Sequence, residues 1–502
     1  MMNPENAGMM ERYDAVIIGA GLGGLQCGFI LAKNGMKVCI VEKNSKIGGC
    51  LQTFRRNDSF FDTGFHYVGG LGEGEPLHRL FRYFGLLDLP WHPLDREAYD
   101  EVVIGNQHFF FANGYERFIE RLVEPFPAQR KNLMNYTSFL KEVGEHLFEP
   151  FATGYSQDAY TFSLFARSAY EFMNEMIDDP LLRKVLSGAS LKMELNAATL
   201  PLYTFAQINH SFMQSAWRLQ GGGMQIAESL ARQIRGMGGE IRTGAAVTRL
   251  TESNGRLAEV EINGEERIAG DWVISDVHPA HTLSLIDETK RLRPVYRKRI
   301  ASLSNTFGMF TVQLRLKPGY VPYLNRNVYI HRQETDLWRF APEQPLSSVL
   351  VSCYVPETKD GYAQQMDLLA PVDWNRMAEW KAKPAGRRGK AYDALKTALA
   401  QECIGLAARH IPGLRDGISE IYTSTPLTYA HYTNTVEGSA YGIRKDCERP
   451  EYTVLTPRTP VPNLLLTGQN LNLHGVLGVS VTSFLTCAEI LGRETAIKDL
   501  HI

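Results

Sequence analysis

Gly19-Ala20-Gly21-Leu22-Gly23-Gly24 is the first place where residue type and spacing together point to chemistry. The segment follows a short apolar run, Tyr13–Ile18, that suits a buried parallel strand. It opens a helical pattern that reaches about Asn34. A second apolar run, Lys37–Val41, ends in Glu42. Strand, G-x-G-x-x-G turn, helix, and an acid closing the next strand make the fingerprint of a dinucleotide cradle. Gly19 permits the tight turn, Gly21 lets a pyrophosphate approach the backbone, and Gly24 lets helix and strand pack closely. The helix start offers free N–H groups and a positive dipole end to phosphate. Glu42 can accept from both ribose hydroxyls and repels a 2′-phosphate. NAD and FAD both use this pattern, so the cradle alone leaves the dinucleotide open.

Elsewhere the chain offers no Ser/His/Asp or metal-ligand constellation at useful spacing. Seven cysteines lie at 27, 39, 50, 353, 403, 447 and 487, an odd number without a C-x-x-C pair. They fit a reducing compartment and give no zinc site. The 502 residues allow a large core and two or more domains. With 44% hydrophobic and 22% charged residues, the composition is that of a soluble globular protein. A net charge of −2 argues against a general nucleic-acid binder. The first residues are polar and carry acids, which reads as no signal peptide. The one long apolar stretch, Ala15–Ala32, is interrupted by glycines and belongs to the cradle. The expected location is the cytoplasm.

The elements that must position this chemistry are scattered along the chain. Tyr99–Ile104 and Gln107–Phe111 read as a hairpin across Gly105-Asn106. Tyr115–Val123 and Arg130–Leu147 have helical spacing, and residues 150–210 look mainly helical. Gln225–Arg235 is an amphipathic helix stopped by Gly238-Gly239, and Glu240–Arg242 and Val247–Thr251 are short strands. Leu257–Ile268 is a hairpin across Asn263-Gly264, and Trp272–Asp276 is a separate buried strand. Strand texture returns at Leu464–Leu466, followed by a glycine turn, Thr467-Gly468-Gln469. Gly475–Val479 opens a last helix. Residues 11–95, 215–290 and 440–502 are thus expected to build one discontinuous domain, and 96–214 with 291–439 a second that takes the substrate.

Together these pieces resemble the phytoene desaturase and amine oxidase superfamily of flavoproteins. The cradle with Glu42, the Gly48-Gly49 pair, the Trp217…Gly222-Gly223-Met224 segment and the Thr467-Gly468-Gln469 turn carry the resemblance. Three stretches narrow it to the retinol saturase and carotenoid isomerase branch: Gly48-Gly49-Cys50…Thr53-Phe54, Phe61-Asp62-Thr63-Gly64-Phe65-His66-Tyr67, and Leu466–Asn470. Cys50 stands where amine oxidases have arginine, and Asn470 stands where the saturases have an acid. The resemblance implies an α/β fold: an FAD-binding, Rossmann-like domain of the glutathione reductase type with an inserted α+β substrate domain. It also implies a set of FAD contacts: Gly19, Ala20, Gly21, Leu22, Gly23 and Gly24 at the pyrophosphate; Glu42 and Lys43 at the ribose; Gly48, Gly49 and Cys50; Val247 on the adenine side; and Gly468, Gln469, Gly478 and Val479 toward the flavin.

The activity so implied is FAD-dependent oxidation or reduction of carbon–carbon double bonds in an apolar polyene or isoprenoid. Isomerisation without net redox is one alternative. A non-enzymatic lipid carrier of the GDP-dissociation-inhibitor type is another. No second dinucleotide fingerprint is visible, so NADPH or NADH is expected, if used, as an external reductant. A polyene has few polar handles, and the aromatics and methionines of the inserts can line an apolar pocket for it. His66 is the candidate proton donor, with a structural histidine as the alternative, and Tyr67 is a weaker donor. Asp62 reads as a turn or cap residue, and His474 as either a flavin neighbour or a surface residue. The basic stretch Lys290–Arg299 reads as a solvated helix face or as a peripheral contact with an anionic membrane.

Overall fold

The structure is a computed structural model that describes residues 10–153, 158–189, 191–287, 289–339 and 345–500. Its first sheet has the strand order Glu240–Thr243, Val38–Glu42, Glu11–Ile18, Glu266–Ser275, Arg256–Ile262, Val247–Ser253, with Leu464–Leu466 also paired to Glu266–Ser275. Five of these strands run parallel, in the register Arg242↔Val41, Ile18↔Val41, Ile18↔Ser275 and Ser275↔Leu466. Their carboxyl ends therefore finish side by side. Ligands of open α/β sheets bind in the crevice outside such ends. Glu42, Gly19, Asp276 and Gly468 all lie there.

The central strands read Val-Cys-Ile-Val-Glu and Asp-Ala-Val-Ile-Ile because both faces are covered. The helix Leu22–Lys33 packs against one face beside the long C-terminal helix Gly475–Leu491. The two helices are pinned together by Gln26 Nε2 donating to Ser480 Oγ at 2.7 Å.

Asn263-Gly264 makes the expected tight turn with both residues at positive φ, 55° and 78°. The strand beyond it differs from expectation. Glu266–Ser275 is one continuous ten-residue strand, not a hairpin arm followed by a separate strand. Its first half pairs antiparallel with Arg256–Ile262, and its length runs parallel to Glu11–Ile18. Gly270 lets the strand carry on through the change of partner, since a Cβ there would press on Trp272 O and on Val16.

The second sheet has the order Ile418–Ser424, Gly308–Leu316, Gln365–Val372, Ser348–Cys353, Asn327–His331, Asp100–Ile104, Gln107–Phe111. Every pairing is antiparallel except Asn327–His331 with Asp100–Ile104. The helices Arg130–Glu145 and Leu202–Gln214 pack on each other beside it. A short hairpin, Thr53–Arg56 with Ser59–Asp62, turns at Asn57, whose φ is 48°. Among the described residues no helix is long and apolar enough to cross a membrane.

Candidate functional site

A cavity of ≈ 550 Å³ opens at the carboxyl ends of the parallel strands and extends to the second sheet. Gly19, Gly21, Leu22 and Gly23 of the turn line it, with Glu42 and Lys43 from the next strand end and Gly48, Gly49 and Cys50 from the following loop. Val247, Gln469 and Val479 complete the set from distant parts of the chain. His66 also lines the cavity, together with Leu191, Met309, Leu350, Leu369, Tyr429 and Tyr441, which make that end apolar.

The remaining expected residues lie just behind this wall. A Cβ on Gly24 would strike Gly19 O, so Gly24 serves helix–strand packing. Ala20 donates its N–H to Glu42 Oε2 at 2.9 Å and accepts from Gly48 N at 2.7 Å, which ties the three turns together. Gly478 packs on Leu473, with a built Cβ 2.5 Å from Leu473 Cβ. Gly468 abuts Gly23, whose Cβ would meet Gly468 Cα at 3.2 Å.

Three observations test whether this site suits a dinucleotide. The Leu22–Lys33 helix starts at Gly21, which has no side chain to cap it, so its first amides face the cavity and the Asp276 carboxylate. The glycines keep Cβ atoms out of the space before those amides. Glu42 accepts from Ala20 N and Asn44 N, both at 2.9 Å, which fixes its carboxylate while each oxygen keeps a further lone pair. The residues fit an anionic pyrophosphate with a ribose beside it.

His66 Nδ1 lies 3.7 Å from Asp367 Oδ2, and Asp367 is fully buried. Tyr354 donates to the same oxygen at 2.8 Å, while Asp367 Oδ1 has no partner among the described residues. Burial, aided by the Arg218 charge, pulls His66 down to about 4, and burial pushes Asp367 well above the usual carboxylate range. At neutral pH the imidazole is therefore uncharged, and burial favours the protonated form of Asp367. Desolvation thus takes His66, the candidate proton donor, well below the ordinary imidazole value.

Tyr67 is not on the cavity. Its hydroxyl donates to Asp100 Oδ2 at 3.0 Å and meets Tyr329 Oη at 2.5 Å, while its ring packs on Phe212 at 4.5 Å. Burial holds it well above 10, so the structure makes Tyr67 a member of a buried polar network with Asp100 and Lys192. Asp62 caps a helix start, as expected: its Oδ1 accepts from Gly223 N at 2.9 Å, and burial pushes its carboxyl up to about 7. His474 is half-buried, its ring tilted against that of Tyr441 at 4.5 Å, with Nε2 bonded to Lys192 O at 3.0 Å. Asn470 lines the cavity but uses its Oδ1 to accept from Ile443 N at 3.1 Å.

The basic stretch is divided. Arg297 turns inward to the carbonyls of Leu283, Ile286 and Asp287, and Leu292 and Ile300 are buried. Val295 is 73% exposed at the start of its helix.

Sequence reasoning missed Asp276, His278 and the apolar wall from the second sheet. Asp276 had a signal: like Glu42, it is an acid just after a buried parallel strand. Met309, Leu350 and Leu369 had none, since they read as ordinary strand residues.

Comparisons with known proteins agree with this geometry. A family profile described as flavin containing amine oxidoreductase matches residues 22–483. The all-trans-retinol 13,14-reductase of Danio rerio is 27% identical over 98% of this chain and 87% of its own. Prolycopene isomerase 2 of an Oncidium hybrid cultivar is 22% identical over 86% of this chain and 75% of its own. Among solved structures, the cyclohexylamine oxidase of Brevibacterium oxydans superposes with a TM-score of 0.60 at 15% identity, covering 97% of this chain and 98% of that one.

Proposed function

The chain belongs to the flavin-containing amine oxidoreductase family, and we propose that it is an FAD-dependent oxidoreductase acting on carbon–carbon double bonds of an apolar polyene or isoprenoid. One observation carries the reading. A glycine cradle fit for a dinucleotide opens into an apolar wall that holds His66, with a buried acid behind it. The retinol reductase relative supports the substrate class.

Bound in the cradle, FAD supplies hydride transfer to or from carbon. The chain's own residues do the rest. The helix-start amides and Glu42 fix the dinucleotide's orientation. Leu191, Met309, Leu350 and Leu369 exclude water from the reacting bond and hold a chain without polar handles. His66 moves the separate proton at the cavity face, and the proton on Asp367 Oδ2 replaces it through Nδ1. NADPH or NADH from solution is the proposed reductant for the saturating direction. A substrate of this class partitions into lipid. The exposed Val295 beside Lys290, Arg291, Arg293 and Lys298 supports transient contact with an anionic membrane surface.

The purified protein should be yellow and should release FAD into the supernatant on acid precipitation. Incubated with NADPH or NADH and a panel of retinoids and carotenoids, it should give a product changed by two hydrogens. A colourless protein overturns the reading. A product of unchanged mass, formed without net consumption of reductant, marks isomerisation, the activity named for the orchid relative.

A further inference from the structure

Asp276 is a carboxylate to which the proposed chemistry gives no task. It follows the strand Glu266–Ser275, and the parallel register delivers its side chain between the Gly19–Gly24 turn and Gly468. Its oxygens lie directly over the cradle. A Cβ added to Gly21 would come within 2.6 Å of Oδ2, and one added to Gly23 or to Gly468 would run into Oδ1. The Gly24 amide, at the start of the first helix, faces this carboxylate and favours its charged form. A side-chain carboxylate thus stands where a phosphate oxygen would approach the helix start.

Among the described residues no cation offsets it. Beyond its own strand lie His278, pulled down to about 4, and His281, also lowered, both by burial. The neighbouring strand end brings the Glu42 carboxylate and Lys43, whose ammonium burial disfavours. The Gly48-Gly49 loop brings Cys50, a thiol that supplies no positive charge. The opening turn of the first helix and residues 467–470 bring no charged side chain. Withdrawal from bulk water, with Glu42 adding repulsion, pushes the Asp276 carboxyl up to about 7.

We propose that Asp276 competes with the cofactor's pyrophosphate for the glycine cradle, so that binding FAD takes up one proton and the affinity falls as pH rises above neutrality. The inference rests on the FAD reading above. The proton comes from solvent onto a carboxylate oxygen of Asp276, which then faces the phosphate as a neutral acid able to donate to it. The direction follows from linkage. The bound state holds the proton more tightly than the free state, so raising the pH favours release.

The test uses holoprotein stripped of flavin with concentrated bromide and titrated with FAD, read by flavin fluorescence, from pH 6 to 8.5. For the wild type, the apparent Kd should be level at the acid end and rise by about tenfold per pH unit above the carboxyl pKa. Asp276→Asn should bind with a nearly level Kd, at least several-fold tighter than wild type at pH 8.5. Asp276→Ala, which lacks the amide as well, should be equally level. A wild-type Kd that does not change with pH, or the same slope in both variants, overturns the inference and leaves the FAD reading standing. Failure of wild type and variants to bind FAD at any pH overturns both.

Discussion

At the scale of single residues, His66 and Gly21 separate chemistry from cradle. Imidazole catalysis is usually read from a pH limb near 6.5, but His66 is held to about 4 by burial. Its contribution should therefore be level between about pH 6 and 8. His66→Ala should lower turnover by about a hundredfold or more, with FAD content unchanged and no limb lost in that range. A limb near neutrality that disappears in the variant would show a charged imidazole. Loss of flavin would show that His66 holds the cofactor instead. Gly21 has an ordinary φ of −71°, so its backbone accepts any residue and only space forbids one. Gly21→Val should fold with a normal circular dichroism spectrum and be colourless. Equal flavin occupancy would remove the phosphate role from this turn.

At the scale of elements, Arg242 holds the edge of the first sheet. It lies on Glu240–Thr243 and reaches Glu240, Glu266 and Glu11, with Tyr13 Oη also 2.8 Å away. Tyr13 and Arg242 pull Glu11 below its ordinary value by hydrogen bonding, and Arg242 does the same for Glu240. Carboxyls lowered in the folded state stabilise above their unfolded value of 4.5 and lose that contribution as pH falls. Arg242→Met should thus cost about 1–2 kcal/mol at neutral pH. The deficit should shrink as pH falls below about 4.5 and in high salt, since the carboxylates are partly exposed. Urea unfolding of both proteins at pH 7 and pH 4 measures it; a deficit that does not depend on pH would assign the loss to packing.

At the scale of the whole molecule, buried titratable groups set the response to acid. His66, His210, His278, His331 and His474 are each pulled to about 4 by burial. Between there and 6.5 the unfolded chain holds protons that the folded chain does not, so stability falls as pH drops through that window. Asp62, Glu75, Asp100, Glu194, Asp276 and Asp367 are raised and act in the opposite sense, but with His78, His92, His281 and His410 also lowered by burial the nine histidines outnumber these six acids. The thermal midpoint should therefore decline steadily from about pH 6.5 to 4.5. A midpoint that rises over this range would mean that the buried acids dominate.

The sequence by itself determined what short-range backbone chemistry controls. The strand, glycine turn, helix and terminal acid at residues 13–42 were legible because each depends on neighbours a few positions away. The Asn263-Gly264 turn was legible because only a few residue types tolerate positive φ in succession. The family likeness rested on such local pieces too. Tertiary structure alone decided which of them share a cavity. Asp276 reaches the cradle only through the parallel register of Glu266–Ser275 with Glu11–Ile18, and Asp367 meets His66 across a separation of 301 positions. It also decided protonation, drawing Tyr67 into a buried network and leaving His66 neutral. Register and desolvation depend on residues brought together from far along the chain, whereas turn preference and hydrophobic period depend on adjacent ones.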